Sequence, residues 1–215
     1  MTNAEEYLNS VNKRAEELRP LRLFAAENYI PIIKQSTEKL LFAVTAMTKP
    51  KKILEIGTAI GYSGLIMLRA HKDAELVTIE KEEDFYEMAY DNFEKFAGGG
   101  VRSIIQKMGD AIEILPTLKD KFDLIFLDGP KAQYIKFLPY LVDLLTVGGV
   151  LFADDVLFMG MVQGKIETPV KKRSIVKNLQ RFNEAVAQHP QLESVMLDIE
   201  DGISLSVKMF GGENV

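Results

Sequence analysis

The sequence contains no cysteine and only two histidines among its 215 residues. The absence of cysteine excludes disulfides, thiolate catalysis and cysteine-bound metals, and it is compatible with a cytoplasmic protein. No apolar run approaches the roughly 20 residues of a membrane-spanning helix, and the polar, acidic start indicates no signal peptide, so we expect no membrane partner. His71 and His189 stand in predicted helix-end or loop positions, which favours solvated side chains over metal ligands.

Apolar residues make up 47% of the chain and charged residues 27%, as is typical of a globular protein. The formal net charge of −5 argues against general nucleic-acid binding, although it is compatible with a local basic patch. The sequence shows no repeat, low-complexity tract or linker. We therefore predict a single domain over residues 1–215, in which 1–50 form N-terminal helices and 51–209 form an α/β core.

Short apolar runs alternate with helical patterns along this core. Five runs of strand length are predicted, at 52–57, 75–80, 102–107, 123–128 and 149–154. The helical patterns between them indicate βαβ units and a parallel sheet covered on both faces. Two further runs, 194–199 and 203–208, flank Asp201-Gly202, which is a strong hairpin signal. We expect five parallel strands followed by an antiparallel hairpin.

Acidic residues stand at or near the ends of all five strands. They are Glu55, Glu80, Asp110, Asp128, Asp154 and Asp155. Since ligands bind beyond the carboxyl ends of the strands in an open α/β sheet, all six would gather on one rim. The alternative for any single acid is a helix N-cap or a solvated loop end. Their recurrence over five consecutive strands favours a shared site.

The first crossover indicates a nucleoside ligand. Its segment EIGTAIGYS, residues 55–63, has glycines at 57 and 61, which is not the G-x-G-x-x-G spacing of dinucleotide enzymes. Gly57 allows a sharp turn and leaves room for a ligand to approach the backbone. Ser63 offers a hydroxyl near the start of the next helix. Glu80, one βα unit later, suits the two hydroxyls of a ribose.

Five segments together resemble the metal-dependent O-methyltransferases, the group of class I S-adenosylmethionine-dependent methyltransferases that includes catechol O-methyltransferase. The segments are LEIGTAIGYS (54–63), TIE (78–80), GDA (109–111), LDGPKAQY (127–134) and ADDVLF (153–158). The most specific part of the resemblance is D-x-x-K-x-x-Y followed by an acid pair at a strand end. It implies a Rossmann-like α/β fold, whose seven-stranded sheet has the order 3-2-1-4-5-7-6, an antiparallel last strand and helices on both faces.

The resemblance also implies which residues hold S-adenosylmethionine. They are Ile33, Gly57, Thr58 and Ser63 around its methionine part, Glu80 at the ribose, and Asp110 and Ala111 at the adenine edge. Glu55 and Asp128, at the ends of the first and fourth strands, complete the predicted cofactor set.

Asp128, Asp154 and Asp155 resemble the three metal ligands of this family, and Lys131 resembles its catalytic lysine. The family usually has asparagine where this chain has Asp155, so a second carboxylate adds negative charge to the site. Three converging carboxylates repel one another unless a cation lies among them. With no cysteine and two histidines, an all-oxygen site suits Mg²⁺, with Mn²⁺ or Ca²⁺ as alternatives.

Such a metal would lower the pKa of a bound hydroxyl, whose oxyanion attacks the sulfonium methyl in line. Lys131, together with Asp128, is the predicted catalytic pair. The lysine would take the proton or stabilise the charge, provided that its pKa falls from about 10.4. The alternative for Lys131 is an ordinary surface lysine.

Two acceptor classes place a hydroxyl beside a second oxygen, namely catechols and 5-hydroxyuridine. Residues 165–181 contain six basic residues and one acid, and on a helix the basic side chains form a stripe opposite an apolar face. The predicted tRNA contacts are Lys171, Lys172, Arg173, Lys177 and Arg181. The alternative is a merely solvated helix face.

Within the family, the segments GYS (61–63), DDVLF (154–158) and KKR (171–173) most resemble the bacterial tRNA 5-hydroxyuridine methyltransferases, which make 5-methoxyuridine at the wobble position. The leading prediction is therefore a tRNA-methylating homodimer. A catechol-type enzyme with a small acceptor and a non-catalytic cofactor-binding module are the alternatives. Phe158, Met159 and Met161 either form a wall of the acceptor pocket or belong to a loop that covers the core.

Overall fold

The computed structural model describes residues 3–97 and 103–210. These residues form a seven-stranded sheet with the order β3-β2-β1-β4-β5-β7-β6, which confirms the predicted order. The strands are β1 (Lys52–Ile56), β2 (Glu75–Glu80), β3 (Ile104–Met108), β4 (Phe122–Leu127), β5 (Leu145–Ala153), β6 (Leu192–Leu197) and β7 (Ile203–Lys208). Strands β1 to β5 pair in parallel, and β7 is antiparallel to both of its neighbours.

Helices cover the sheet on both faces, as predicted. They are α1 (Asn3–Val11), α2 (Arg19–Glu27), α3 (Gln35–Thr48), α4 (Tyr62–Ala70), α5 (Glu83–Phe96), α6 (Ala111–Ile114), α7 (Tyr134–Leu144) and α8 (Arg173–Ala187). In the described part of the chain, no helix has the length and apolar character needed to cross a membrane.

The strands bury both faces because successive side chains point to opposite sides of the sheet. Ile53 and Leu124 belong to a core cluster that includes residues of α2, α3, α4 and α5. Leu54 and Ile125, one position further along each strand, belong to a second cluster with α6, α7 and α8. The protein is therefore a three-layer α/β structure whose strand ends form one rim.

The strand boundaries differ from the prediction where local irregularities intervene. Strand β5 begins at Leu145 rather than at 149, and its register with β4 shifts between Phe122 and Leu124. Gly148, with φ +81°, lies in the shifted part, as is typical of a bulge. Strand β3 begins at Ile104, and position 102, where its predicted range starts, lies outside the described residues.

The hairpin prediction is confirmed, but the connection is longer than a two-residue turn. Five residues, 198–202, separate β6 from β7. The amide of Gly202 donates to the carbonyl of Ile199 at 2.8 Å, and Gly202 has φ +85°. The turn at residues 199–202, which we call the β6–β7 turn, lies beside the start of α3, where Glu200 accepts a hydrogen bond from the amide of Ser36.

Candidate active site

A cavity of about 420 Å³ lies at the carboxyl ends of the parallel strands, as the acidic strand ends predict. Among its lining residues are nine that the sequence assigned to a site. They are Ile33, Gly57, Glu80, Asp110, Ala111, Asp128, Lys131, Asp154 and Asp155. Acidic side chains outnumber basic ones on its wall, so the cavity suits a ligand that carries positive charge.

The loop after β1 contributes Gly57 to the cavity lining and packs against the backbone that follows β4. Gly57 has φ +96°, and its amide donates to the carbonyl of Ile79 at 3.0 Å. A Cβ at this position would overlap the backbone carbonyl of Asp128. The space that a side chain at Gly57 would fill is thus taken by the backbone that follows β4. Gly57 still lines the cavity, and its contact with a ligand stays a prediction.

Asn92 tethers the same loop from α5, since its amide group donates to the carbonyl of Ile60 at 2.9 Å. This contact gives Asn92 a structural role on a helix whose Ala89 and Phe93 are buried in the core.

Three residues of the predicted cofactor set lie beneath the cavity and do not line it. Glu55 is fully buried and accepts hydrogen bonds from the hydroxyls of Ser63 and Thr78, each at 2.6 Å. Thr58 shares a 2.5 Å hydroxyl contact with Thr78. Burial raises the pKa of Glu55 to about 7 despite these hydrogen bonds. The three residues support the glycine loop from below, and direct contact with a cofactor stays a prediction for them.

Glu80 fixes the backbone at the end of β2. One carboxylate oxygen accepts from the amide of Ala59 at 2.8 Å. The other accepts from the backbone amides of Lys81 at 2.7 Å and Glu82 at 3.0 Å. The carboxylate therefore holds the loops after β1 and β2 together while it faces the cavity.

Asp110 combines a capping role with a place on the cavity wall. Its side chain accepts from the amide of Ile112 at 3.1 Å at the start of α6, next to Ala111. It also pairs with the ammonium of Lys81 at 3.1 Å. The backbone hydrogen bond, followed by the lysine, lowers the pKa of Asp110. Asp110 is therefore both the N-cap of α6 and a residue of the cavity wall.

Lys131 lies between two of the predicted metal ligands. Its ammonium is 2.6 Å from Oδ1 of Asp128 and 2.9 Å from Oδ2 of Asp155. Burial alone would lower its pKa, but Tyr134, Asp128 and Asp155 outweigh burial, so the pKa lies above its ordinary value. Both roles predicted for Lys131, proton acceptor and charge-stabilising ammonium, stay predictions.

Asp154 is buried at the end of β5, where its pKa rises to about 8. Burial is the largest cause, followed by the negative charges of Asp128 and Asp155. Tyr134 holds these strand ends in register, because its hydroxyl lies 3.2 Å from the carbonyl oxygens of both Leu127 and Asp154. The tyrosine of D-x-x-K-x-x-Y therefore has a structural reason to be there.

The predicted metal site offers only the carboxylate oxygens of Asp128, Asp154 and Asp155 as donors. Within residues 3–97 and 103–210, no group of three or more histidine, cysteine or acidic side chains is arranged to hold a metal ion. The donor chemistry nevertheless fits a hard divalent cation, since carboxylate oxygens are the ligands that Mg²⁺ prefers. Burial, and after it the negative charges of Asp128 and Asp155, raise the pKa of Asp154, and a bound cation would oppose this increase.

The loop after the acid pair is held in unusual backbone geometry. Asp155, Phe158 and Met159 have φ values of +58°, +44° and +56°. None of Phe158, Met159 and Met161 is among the residues that line the cavity. Met161 is buried and Phe158 packs on the α7–α8 side of the core, which favours the core-covering alternative.

Several cavity residues were not predicted from the sequence, and four of them, all charged or polar, meet on one side of the cavity. Lys34 and Thr37 lie on the N-terminal wall beside Ile33, and Glu200 and Asp201 lie in the β6–β7 turn. The sequence marked the Asp201-Gly202 pair only as a turn, and Lys34 and Thr37 carry no local signal.

The basic stripe lies on α8 and on the short 3₁₀ helix before it, Val170–Lys172. Its five residues are outside the cavity lining, and all except the half-buried Lys172 are exposed. The ammonium of Lys172 lies 5.3 Å from the ring centre of Phe158. On the opposite face the buried residues are Val176, Leu179, Phe182 and Val186, and Ile175 is half-buried. Both histidines are also outside the cavity lining.

Comparison with known proteins gives a consistent result. A family model described as O-methyltransferase matches residues 8–209. The catechol O-methyltransferase of Niastella koreensis is 30% identical over 195 residues, which cover 85% of this chain and 85% of that protein. Caffeoyl-CoA O-methyltransferase 1 of Arabidopsis thaliana is 28% identical over 207 residues, which cover 90% and 78%.

Solved structures share the fold over the same extent. A Staphylococcus aureus protein proposed to be a caffeoyl-CoA O-methyltransferase is 32% identical, with a TM-score of 0.87, and the match covers 96% of this chain and 100% of that one. The O-methyltransferase TomG of Streptomyces achromogenes, solved in complex with S-adenosylmethionine, is 27% identical, with a TM-score of 0.83 and coverage of 98% and 100%.

Proposed function

Because this chain belongs to the O-methyltransferase family and is an S-adenosylmethionine-dependent enzyme, we propose that it methylates a hydroxyl of a small catechol-type molecule. The observation that supports this most is the meeting of Asp128, Lys131 and Asp155 at one end of the cavity. A similar protein is named for catechol, which favours the small-molecule alternative over the leading tRNA prediction.

In this proposal, the cofactor binds against the part of the cavity wall that Ile33, Gly57, Glu80, Asp110 and Ala111 form. Gly57 and Glu80 face its methionine and ribose parts, with Asp110 and Ala111 at the adenine. Glu55, Thr58 and Ser63 act from below, since they fix the loop on which the cofactor rests. The acidic wall favours the positively charged sulfonium.

Asp128, Asp154 and Asp155 would hold Mg²⁺, which supplies Lewis-acid activation of the acceptor hydroxyl. Lys131 lies beside Asp128 and Asp155, where it would take the proton of the acceptor hydroxyl or, as an ammonium, stabilise the oxyanion that attacks the sulfonium methyl. Orientation of donor and acceptor in one cavity would contribute further to the rate enhancement. Asp155, in place of the family's asparagine, makes this end of the cavity more negative.

Methyl transfer to catechol tests the proposal directly. Purified protein with S-adenosylmethionine, catechol and Mg²⁺ should form the methyl ether. EDTA should abolish transfer but leave cofactor binding measurable by calorimetry. Transfer that continues unchanged in EDTA would refute the metal, and cofactor binding without transfer to catechol or to tRNA would favour the non-catalytic module.

We keep tRNA 5-hydroxyuridine as a second acceptor because of one observation. Lys171, Arg173, Lys177 and Arg181 are exposed, and within the described residues none of the four forms an ion pair. Unpaired basic side chains on one helix are suited to phosphate contacts. If tRNA is the acceptor, Lys177→Glu with Arg181→Glu should weaken its methylation and spare catechol. Mass spectrometry of tRNA nucleosides from cells that lack the protein should then show less 5-methoxyuridine.

The single domain over 1–215 and the homodimer are also proposals. Sedimentation velocity of the purified chain measures the oligomeric state, and a monomer at micromolar concentration would refute the dimer.

A further inference from the structure

The β6–β7 turn contacts both walls of the cavity, and the mechanism of methyl transfer proposed above gives it no role. Glu200 and Asp201 line the cavity. One side of the turn meets the segment that leads into α3, and the other side meets the loop that follows the acid pair.

Glu200 caps α3 from a distant part of the sequence. The residue that precedes the helix, Lys34, provides no side-chain cap, which leaves the first amides without a local acceptor. The carboxylate of Glu200 accepts from the amide of Ser36 at 2.8 Å, and from the hydroxyl and amide of Thr37 at 2.8 and 3.3 Å. A negative charge at a helix N-terminus also interacts favourably with the helix dipole. The start of α3 therefore depends on the turn.

Asp201 adds a second contact to the same wall. Its Oδ2 lies 2.7 Å from the ammonium of Lys34, which directly follows Ile33 on the cavity wall. Lys34 is more than half exposed, so this ion pair contributes little to global stability. Its effect is local, because it fixes the position of Lys34 and of the cavity wall around it.

The backbone of the turn holds the acid-pair loop on its other side. The amide of Val156, the residue after Asp155, donates to the carbonyl of Gly202 at 3.0 Å. The amide of Leu157 donates to the carbonyl of Asp201 at 2.8 Å. The side chain of Leu157 occupies the space that a Cβ on Gly202 would need, so the two loops pack without a gap.

We propose that Glu200 and Asp201 are positioning residues for methyl transfer: the β6–β7 turn sets the separation between the cofactor wall at Ile33–Thr37 and the acid pair. This inference rests on the proposed function. Transfer requires the methyl group and the acceptor oxygen to meet in line, and a displacement of about 1 Å costs on the order of a hundredfold in rate. A turn that touches both walls is suited to hold this separation.

The test compares variants of the full chain by kcat and KM with catechol, by cofactor Kd from calorimetry, and by thermal midpoint. Glu200→Ala should lower kcat by about tenfold or more with a small change in midpoint, and Glu200→Gln, which keeps an acceptor oxygen, should recover much of the loss. Lys34→Glu and Asp201→Lys should each raise the cofactor Kd several-fold. The double variant Lys34→Glu/Asp201→Lys restores an ion pair and should return Kd toward wild type.

The ion pair between Lys165 and Asp198 provides a matched control. It spans 3.1 Å, its partners are exposed, and neither lines the cavity although Asp198 is next to the turn. Asp198→Lys should leave kcat and Kd unchanged. If Glu200→Ala and Asp201→Lys behave like Asp198→Lys, or if their losses follow the thermal midpoint alone, the positioning role is wrong.

Failure of the proposed function looks different. A wild-type protein that binds the cofactor but transfers nothing to catechol refutes the catechol acceptor. The cofactor Kd of the Lys34 and Asp201 variants and their charge-swapped pair then still decides the role of the turn.

Discussion

Gly57 lies so close to the backbone carbonyl of Asp128 that a side chain at residue 57 would overlap it. The amide of Asp128 in turn donates to the carbonyl of Ile56 at 2.9 Å. The loop assigned to the cofactor and the acid assigned to catalysis are thereby joined at one contact. A substitution at either residue should therefore affect both cofactor binding and catalysis.

Gly57→Ala should destabilise the protein by about 1–3 kcal/mol, because the added methyl forces β1 and β4 apart. The cofactor Kd should rise at the same time. Gly148→Ala is the matched control, since Gly148 also has a positive φ, +81°, but nothing lies within 4 Å of its added Cβ. Urea denaturation and calorimetry measure both effects. Equal losses in the two variants would show that backbone strain, and not the contact with Asp128, decides the outcome.

Lys131→Met should lower kcat by about 10²–10³-fold while cofactor Kd changes little, because it removes the ammonium beside Asp128 and Asp155. Steady-state kinetics with catechol give kcat, and calorimetry gives Kd. Lys136→Met, at an exposed position of α7, is the control and should be silent. A Lys131→Met enzyme that keeps its full kcat would remove the lysine from the mechanism.

Glu55 should make stability fall as pH rises. Its pKa is about 7 in the folded protein against an ordinary value of 4.5, so the native state binds the proton more tightly than the unfolded chain. The contribution is fully present below about pH 4.5 and is lost as pH rises through about 7, by at most about 3 kcal/mol. Glu55→Gln should remove this part of the slope.

Urea denaturation at several pH values from 4.5 to 8 measures the slope for wild type and Glu55→Gln. Glu193→Gln, at an exposed position of β6, should leave it unchanged. If Glu55→Gln and wild type have the same pH dependence, the buried carboxyl does not titrate in this range.

Glu38→Ala should destabilise the protein by about 3 kcal/mol or more, because it leaves buried partners unsatisfied. Glu38 is buried and accepts from Nε of Arg14 at 2.5 Å and from the hydroxyl of Tyr62 at 2.8 Å. Arg14 also donates to the carbonyl of Ile33 at 3.0 Å. Chemical denaturation measures the loss, and the exposed Glu27→Ala is the control. A loss no greater than that of Glu27→Ala would contradict a structural role for this network.

The sequence was sufficient to predict the sheet and its rim because their signals are local. Apolar runs of strand length mark the strands, and an acid at or near each strand end marks the rim. The order of the strands came from resemblance alone, since no local pattern states which strand lies beside which. The longer β5 was missed because its glycine pair reads as a turn when the partner strand is unknown.

The parts of the site that were missed depend on contacts between distant residues. Glu200 caps a helix that begins 165 positions earlier, at Gln35, and neither end of that contact carries a motif. Glu55 alternates with Leu54 and Ile56 along β1, so its side chain points into the α4 side of the sheet instead of over the rim. The raised pKa of Lys131 follows from the surroundings of its ammonium, Tyr134, Asp128 and Asp155, which come together only in the folded chain.

The backbone at Asp155 restricts which residues that position accepts. With φ +58°, it favours glycine, asparagine and aspartate over other residues. Of these three, only the last two carry a side-chain oxygen, and a single base change converts one codon into the other. Evolution can therefore adjust the charge at this end of the cavity by one unit without altering the shape of the chain.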